Sequence, residues 1–238
     1  MAGQFITFEG GEGAGKSTQI ARLKARLEAM RIPVLVTREP GGSPGAEAVR
    51  NVLLSGKARQ LGADAEALLF AAARADHMDT VILPALAQGK WVLCDRFTDS
   101  TRVYQGEAGV APAYIEELER LAIAGRKPDL TLLIDVPAQL GLARVHARSS
   151  LGSVSDPDRF EQDDIEVHKR RRRLFLDLAE TEPDRLAVID GSKGPDSVAE
   201  AIWQQVQQRL ADALAETKRI VPIAGHGPAK EGQRDGEA

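Results

Sequence analysis

The segment Gly10-Gly11-Glu12-Gly13-Ala14-Gly15-Lys16-Ser17 constrains this chain more than any other, because it satisfies the pattern G-x-x-x-x-G-K-[ST] between a β-rich run and a helix-period run. Small residues let successive backbone N–H groups turn inward around an anion, and the start of the following helix adds its positive end. Lys16 can reach the β- and γ-phosphates of a nucleoside triphosphate, and the Ser17 hydroxyl can ligate Mg²⁺. The nucleotide-side residues are therefore Gly10 through Ser17 with the adjoining Thr18. Two rival readings fail on residue identity. A G-x-G-x-x-G dinucleotide loop begun at Gly11 would need glycine where Lys16 stands. A guanine-specific switch would carry Asn-Lys-x-Asp, whereas Asn51, the one asparagine, is followed by Val52.

Short apolar β-rich runs alternate with longer helix-period stretches, the pattern of a parallel sheet covered on both faces. Strands are predicted at Gln4–Phe8, Pro33–Thr37, Trp91–Cys94, Leu130–Ile134 and Leu186–Ile189. Helices are predicted at Ser17–Met30, Ala46–Leu54, Asp64–Gln88, Ala113–Ala124, Ala138–Arg148 and Gln162–Glu180, with Pro84 placed to kink or split the third. A last helix opens at Gly194-Pro195 and runs to about Leu214. The expected fold is α/β: a P-loop NTPase fold with a five-stranded parallel sheet, helices on both faces and a mobile lid. Residues 1–215 form one domain with the lid at about 144–160, and 216–238 read as a disordered tail rich in Gly, Lys, Glu and Pro.

With 238 residues, 43% of them hydrophobic, the chain can bury one good core and is short for two domains. A net charge of −4 gives no global reason to bind nucleic acid or an anionic membrane. The longest apolar run, Ala67–Ala73, falls far short of a membrane span, and the first residues lack a charged segment followed by an apolar one, so the protein is expected to be soluble and unexported. The single Cys94 cannot make an internal disulfide. The expected compartment is the cytoplasm.

Trp91-Val92-Leu93-Cys94-Asp95 is an apolar strand ending in an acid, the place where a second strand of such a fold brings a carboxylate to the metal side of the phosphates. Asp95 is the metal-side candidate beside Ser17; capping of the next helix is its plainer alternative. The adjoining Arg96 can neutralise an acceptor phosphate and the moving phosphoryl group.

The segment Asp95-Arg96-Phe97 with Ser100, Thr101, Tyr104, Gln105 and Gly106 resembles the Asp-Arg-aromatic segment of thymidylate kinases. So do Phe5-Ile6-Thr7-Phe8-Glu9-Gly10, Thr37-Arg38-Glu39-Pro40-Gly41-Gly42, Leu69-Phe70-Ala71-Ala72-Ala73-Arg74 and Arg126-Lys127-Pro128-Asp129-Leu130, in order and spacing over about residues 4 to 212. The resemblance implies transfer of the ATP γ-phosphoryl group to dTMP, with Mg²⁺, in a homodimer packed through helices. It implies Phe70 and Arg74, four apart on one helix face, as base stacker and base donor, and Arg38 as a holder of the acceptor phosphate. Glu12 corresponds to a sugar- or phosphate-side carboxylate, Tyr104 lies beneath the deoxyribose, and Ser100, Thr101 and Gln105 line the acceptor pocket. The plainer alternatives are a core aromatic for Phe70 and a solvated strand-end charge for Arg38.

No arginine stands in the spacer of the phosphate loop, so transition-state charge must come from elsewhere. In the bacterial type that the chain resembles, lid arginines supply it. Arg148 and Arg159 flank the polar stretch Ser149–Asp158 and are the candidates, with Arg144 on the nucleotide side. Of the consecutive Arg170 to Arg173, at most one or two can face ATP, since they point all round a helix. His77 reads as packing rather than a base, because a phosphate acceptor oxygen is already ionised. The competing functions are another small-acceptor kinase, acting on dUMP, dCMP or a deoxynucleoside, and a non-catalytic nucleotide-binding protein.

Overall fold

The computed structural model describes residues 3–150 and 160–220 of the chain. Five strands, β1 (Phe5–Glu9), β2 (Val34–Arg38), β3 (Trp91–Asp95), β4 (Leu130–Asp135) and β5 (Leu186–Asp190), form one sheet in the order β2-β3-β1-β4-β5. Every pairing is parallel. The expected strands each lie within one residue of these bounds. Their apolar runs are buried because helices cover both faces of the sheet. Ile6, Phe8, Leu93, Leu132 and Ile134 pack against α1 (Lys16–Ala29) and α9 (Pro195–Arg209) on one side. Phe5, Val92 and Cys94 meet Met78, Ile82 and Phe97 on the other.

The order places β1 and β3 side by side although β2 comes between them in sequence, with Phe8 in register with Asp95. The loops leaving these two strands therefore adjoin, and that juxtaposition creates the phosphate side of the site. The remaining helices are α2 (Pro44–Leu54), α3 (Ala63–His77), α4 (Leu83–Ala87), α5 (Thr98–Glu107), α6 (Pro112–Ala122), α7 (Ala138–Ser150), α8 (Ile165–Thr181) and α10 (Ala211–Ile220). Their starts follow local chemistry. Ser43 accepts a hydrogen bond from the Ala46 N–H at 3.3 Å with Pro44 at the first helical position, and Asp164 accepts from the Glu166 N–H at 2.8 Å.

The expected kink or split at Pro84 is present, and the bounds of other elements change. The long third helix is broken: α3 ends at His77, a π-helical turn covers Met78–Ile82, and α4 follows. Pro84 supplies the reason, since its ring clashes with the carbonyl four residues back and it donates no hydrogen bond, so the ladder widens ahead of it. Helix α5 was not anticipated, because it buries Thr98, Asp99, Thr101 and Gln105 along with Val103 and Tyr104, leaving no apolar stripe to detect. The change of character expected near Glu216 falls inside α10, which continues to Ile220; residues 221–238 lie outside the described residues, as does most of the lid stretch, 151–159. Ser149 and Ser150 end α7 rather than open a loop.

Candidate active site

The loop after β1 owes its shape to glycine. Gly10 (φ 136°), Gly13 (φ 67°) and Gly15 (φ 94°) all occupy the left-handed half of backbone space. At Gly13 space is equally decisive: an added Cβ would lie 2.1 Å from the Gly141 carbonyl oxygen of α7, and one at Gly141 would lie 2.3 Å from that of Glu12. Two backbones thus meet directly and lock α7 against the phosphate loop, a role for Gly141 that no local pattern announces. Lys16 is buried and donates to the carbonyls of Gly10 (3.2 Å) and Gly11 (3.3 Å). Burial and the nearby Arg96 charge push its ammonium below the usual lysine range.

Asp95 ends β3 beside this loop. Ser17 Oγ donates to its Oδ2 at 3.3 Å, while Oδ1 is buried and has no hydrogen-bond partner among the described residues. An orphaned carboxylate oxygen next to a serine hydroxyl is a donor set suited to a hard divalent cation that takes its other ligands from phosphate and water.

Arg96, the next residue, sits at φ 67°, an uncommon region for a side-chain-bearing residue. Its guanidinium donates to Glu12 Oε1 (2.6 Å), Ser100 Oγ (3.1 Å) and the Gly10 carbonyl (3.3 Å), and lies 5.0 Å over the Tyr104 ring. Tyr104 Oη donates to the same Glu12 oxygen at 2.7 Å. Burial acts to raise the Glu12 carboxyl, but Arg96, Lys16 and the Tyr104 hydroxyl outweigh it and hold the group at about 2. Glu12 is therefore a fixed anion that orients both Arg96 and Tyr104.

A cavity of about 280 Å³ opens here, bounded by the loop residues Glu12 to Thr18, by Asp95, Arg96, Ser100, Thr101, Tyr104 and Gln105, and by Arg38, Phe70 and Arg74. It brings together nearly every residue singled out from sequence. Arg74 is buried; its Nε donates to Glu39 Oε2 (2.7 Å) and its Nη2 to Thr101 Oγ1 (3.0 Å) and the Phe97 carbonyl (3.2 Å). Phe70 stands against Leu53 and Ala58 with one face on the cavity. Gln105 Nε2 donates to Glu66 at 3.2 Å, and Arg38, half-exposed, pairs with Glu47 at 2.8 Å on the rim. His77 is fully buried between Thr37 Oγ1 (2.7 Å) and Glu39 Oε1 (3.2 Å), a packing position away from the cavity.

The lid candidates divide. Arg148 lines the cavity and pairs with Glu161 at 3.0 Å. Arg144 is turned to the Gly191 carbonyl (3.0 Å) past β5 and is not a cavity residue. Arg159 lies outside the described residues. On α8, Arg170 pairs with Glu107, Arg172 with Asp135 and Arg173 with Asp177, while Arg171 is buried against Asp163 and stacks 4.5 Å over Tyr104. None of these four lines the cavity.

Sequence reasoning passed over Phe160, Glu39 and Glu9. Phe160 meets Tyr104 edge-on with ring centroids 5.3 Å apart and also lines the cavity; a lone aromatic in an otherwise polar stretch was the available signal. Glu39 was quoted within a motif without a role, and it is the anion that holds Arg74 and His77. Glu9, a strand-terminal acid, is wholly buried at the start of α5. Burial and Asp99 push its carboxyl up to about 7 against the opposing pull of Arg96 and its hydrogen bonds to Ser100 and Phe97.

Comparisons with known proteins give the family. A family model described as thymidylate kinase matches residues 8–202. The chain belongs to the thymidylate kinase family. It is 56% identical over 214 residues to a thymidylate kinase of Bradyrhizobium sp. strain BTAi1, covering 90% of this chain and 93% of that one. A thymidylate kinase of Nitrobacter winogradskyi is 54% identical over 217 residues, covering 91% and 93%. The crystal structure of thymidylate kinase from Ehrlichia chaffeensis superposes with a TM-score of 0.69 at 35% identity, covering 87% of this chain and all of that one.

Proposed function

We infer that this chain is an ATP:dTMP phosphotransferase, moving the γ-phosphoryl group of ATP onto dTMP to give dTDP and ADP. Family membership across most of the chain supports the reaction, and the single observation that carries the mechanism is the Arg96–Glu12–Tyr104 knot between phosphate loop and acceptor cavity. The acceptor oxygen is a phosphate oxygen that is ionised already, so the protein need only position two anions and offset the charge between them. Lys16 and Arg96 provide fixed positive charge on the two sides of the transferring group, and Arg148 adds to it from the lid. Arg159 is assigned the same role from the sequence alone. Phe70 and Arg74 take the base, by stacking and by donation to a base oxygen, with Thr101 and Gln105 beside them. Tyr104 underlies the sugar, and Arg38 with Ser100 completes the acceptor-phosphate side. Closure of the site by Phe160 and Glu161 would exclude water and limit wasteful hydrolysis.

Ser17 and Asp95 are the residues that would hold Mg²⁺, which the orphaned Asp95 Oδ1 supports. Held there, the ion would supply positive charge against the phosphates. Incubation with ATP and dTMP should yield dTDP and ADP in equal amounts, stop on chelation and resume on adding Mg²⁺. ADP formed without dTDP would overturn the transfer, and full activity under chelation would remove the metal.

The same reading makes the catalytic unit residues 1–215 and the compartment the cytoplasm, which the buried, unpaired Cys94 thiol supports. Among the described residues no helix is long and apolar enough to cross a membrane. A homodimer packed through helices is supported by Leu68 and Leu121, exposed on the mutually packed α3 and α6. Sedimentation should give twice the chain mass at micromolar concentration; a monomer there would refute the dimer.

A further inference from the structure

The geometry points to Glu9 as a positioning residue for Arg96, acting through the Ser100 hydroxyl and through the backbone that opens α5. This inference deepens, and rests on, the role given to Arg96 above. Helix α5 begins after Phe97, which offers no side-chain cap of its own. Glu9, from the end of the adjoining β1, performs that task from outside the helix: its Oε1 accepts from the N–H groups of Phe97 (2.8 Å) and Ser100 (3.2 Å). Its Oε2 accepts from Ser100 Oγ at 2.6 Å. Having spent its proton on Glu9, the Ser100 oxygen presents lone pairs to the Arg96 guanidinium at 3.1 Å.

Arg96 needs such support. A non-glycine residue at φ 67° costs energy and persists only where its surroundings over-determine it. On one side the Arg96 N–H donates to the Phe8 carbonyl at 2.9 Å; on the other, the next residue is pinned by Glu9. Strand β1 thus grips the Arg96 backbone from both directions, and the Glu9–Ser100 link aims its side chain.

Glu9→Gln preserves shape and reverses one bond. The amide oxygen can still accept from the two backbone N–H groups, which turns the NH₂ group toward Ser100 Oγ. A donor then competes with Arg96 for that oxygen.

The experiment measures kcat and both KM values for wild type, Glu9→Gln, Arg96→Ala and the double variant, alongside thermal melting. We expect Glu9→Gln to lower kcat about 10- to 100-fold, with both KM values within about threefold and little change in melting temperature. In the Arg96→Ala background it should cost nothing further, since the group it aims is absent. Should Glu9→Gln fold poorly, Glu9→Asp shortens the link while keeping the carboxylate, and its loss of kcat should likewise vanish without Arg96. Wild-type kcat in Glu9→Gln, or losses that multiply in the double variant, would overturn the inference while leaving the phosphotransfer reading intact. An inactive wild type would instead sink that reading.

Discussion

Replacing Arg96 with alanine is expected to lower kcat for dTMP phosphorylation about a thousandfold while KM for ATP stays within about threefold. The guanidinium is partly buried, fixed by Glu12, Ser100 and the Gly10 carbonyl, and stacked on Tyr104, so its charge needs little reorganisation when the phosphoryl group moves. Its loss removes charge placed between the two reactants and leaves the Glu12 anion with the Tyr104 hydroxyl but without its guanidinium partner. ATP binding survives because the loop conformation is set by its glycines and the Lys16 ammonium is held by the Gly10 and Gly11 carbonyls, none of which requires the Arg96 guanidinium. Lysine at this position should restore little, since a single ammonium lacks the fork by which Nη2 reaches Glu12 while Nη1 reaches Ser100 and Gly10. Near-normal turnover of Arg96→Ala would remove the residue from the mechanism.

The second large effect is on stability. Asp99 is fully buried in α5, and Arg185 grips both its oxygens, Nη1 to Oδ2 at 2.7 Å and Nη2 to Oδ1 at 2.8 Å, while also donating to Thr131 Oγ1 at 2.8 Å. Burial acts to lower the Arg185 pKa, but Asp99 and Glu182 reverse that and raise it above the ordinary arginine value. Arg185→Ala would strand a buried carboxylate, which costs about 3–5 kcal/mol and lowers the melting temperature by roughly 10 °C in a chain of this size. The exposed Arg120–Glu117 pair is the control: Arg120→Ala should melt with wild type. If Arg185→Ala also melts with wild type, the Asp99–Arg185 pair is not what holds α5 to the start of β5.

What the sequence revealed and hid follows from where the information lies. The β-strands were legible because both faces of the sheet are covered, so each strand is an apolar run independent of its partners. The phosphate loop was legible because its glycines sit where backbone geometry admits little else. Helix α5 was hidden because its buried face is polar: Asp99 answers Arg185 on α5's far side, and Thr101 answers Arg74. Those partners lie tens of residues away in sequence, beyond any local period. Glu9 and Glu39 were hidden for the same reason, each being a charge whose meaning comes from another element. Gly141 shows the limit most plainly, since its constraint is an oxygen of Glu12 brought against it only by the packing of α7.

The most direct test of the account is kcat/KM for dTMP, dUMP, dCMP, dGMP and AMP, each offered with the same Mg-ATP. The cavity walled by Phe70, Arg74 and Tyr104 predicts strong preference for dTMP over dCMP, dGMP and AMP, by at least about a hundredfold. Equal rates for all five, or none above the acceptor-free background, would contradict the acceptor site and leave only the nucleotide-binding loop standing.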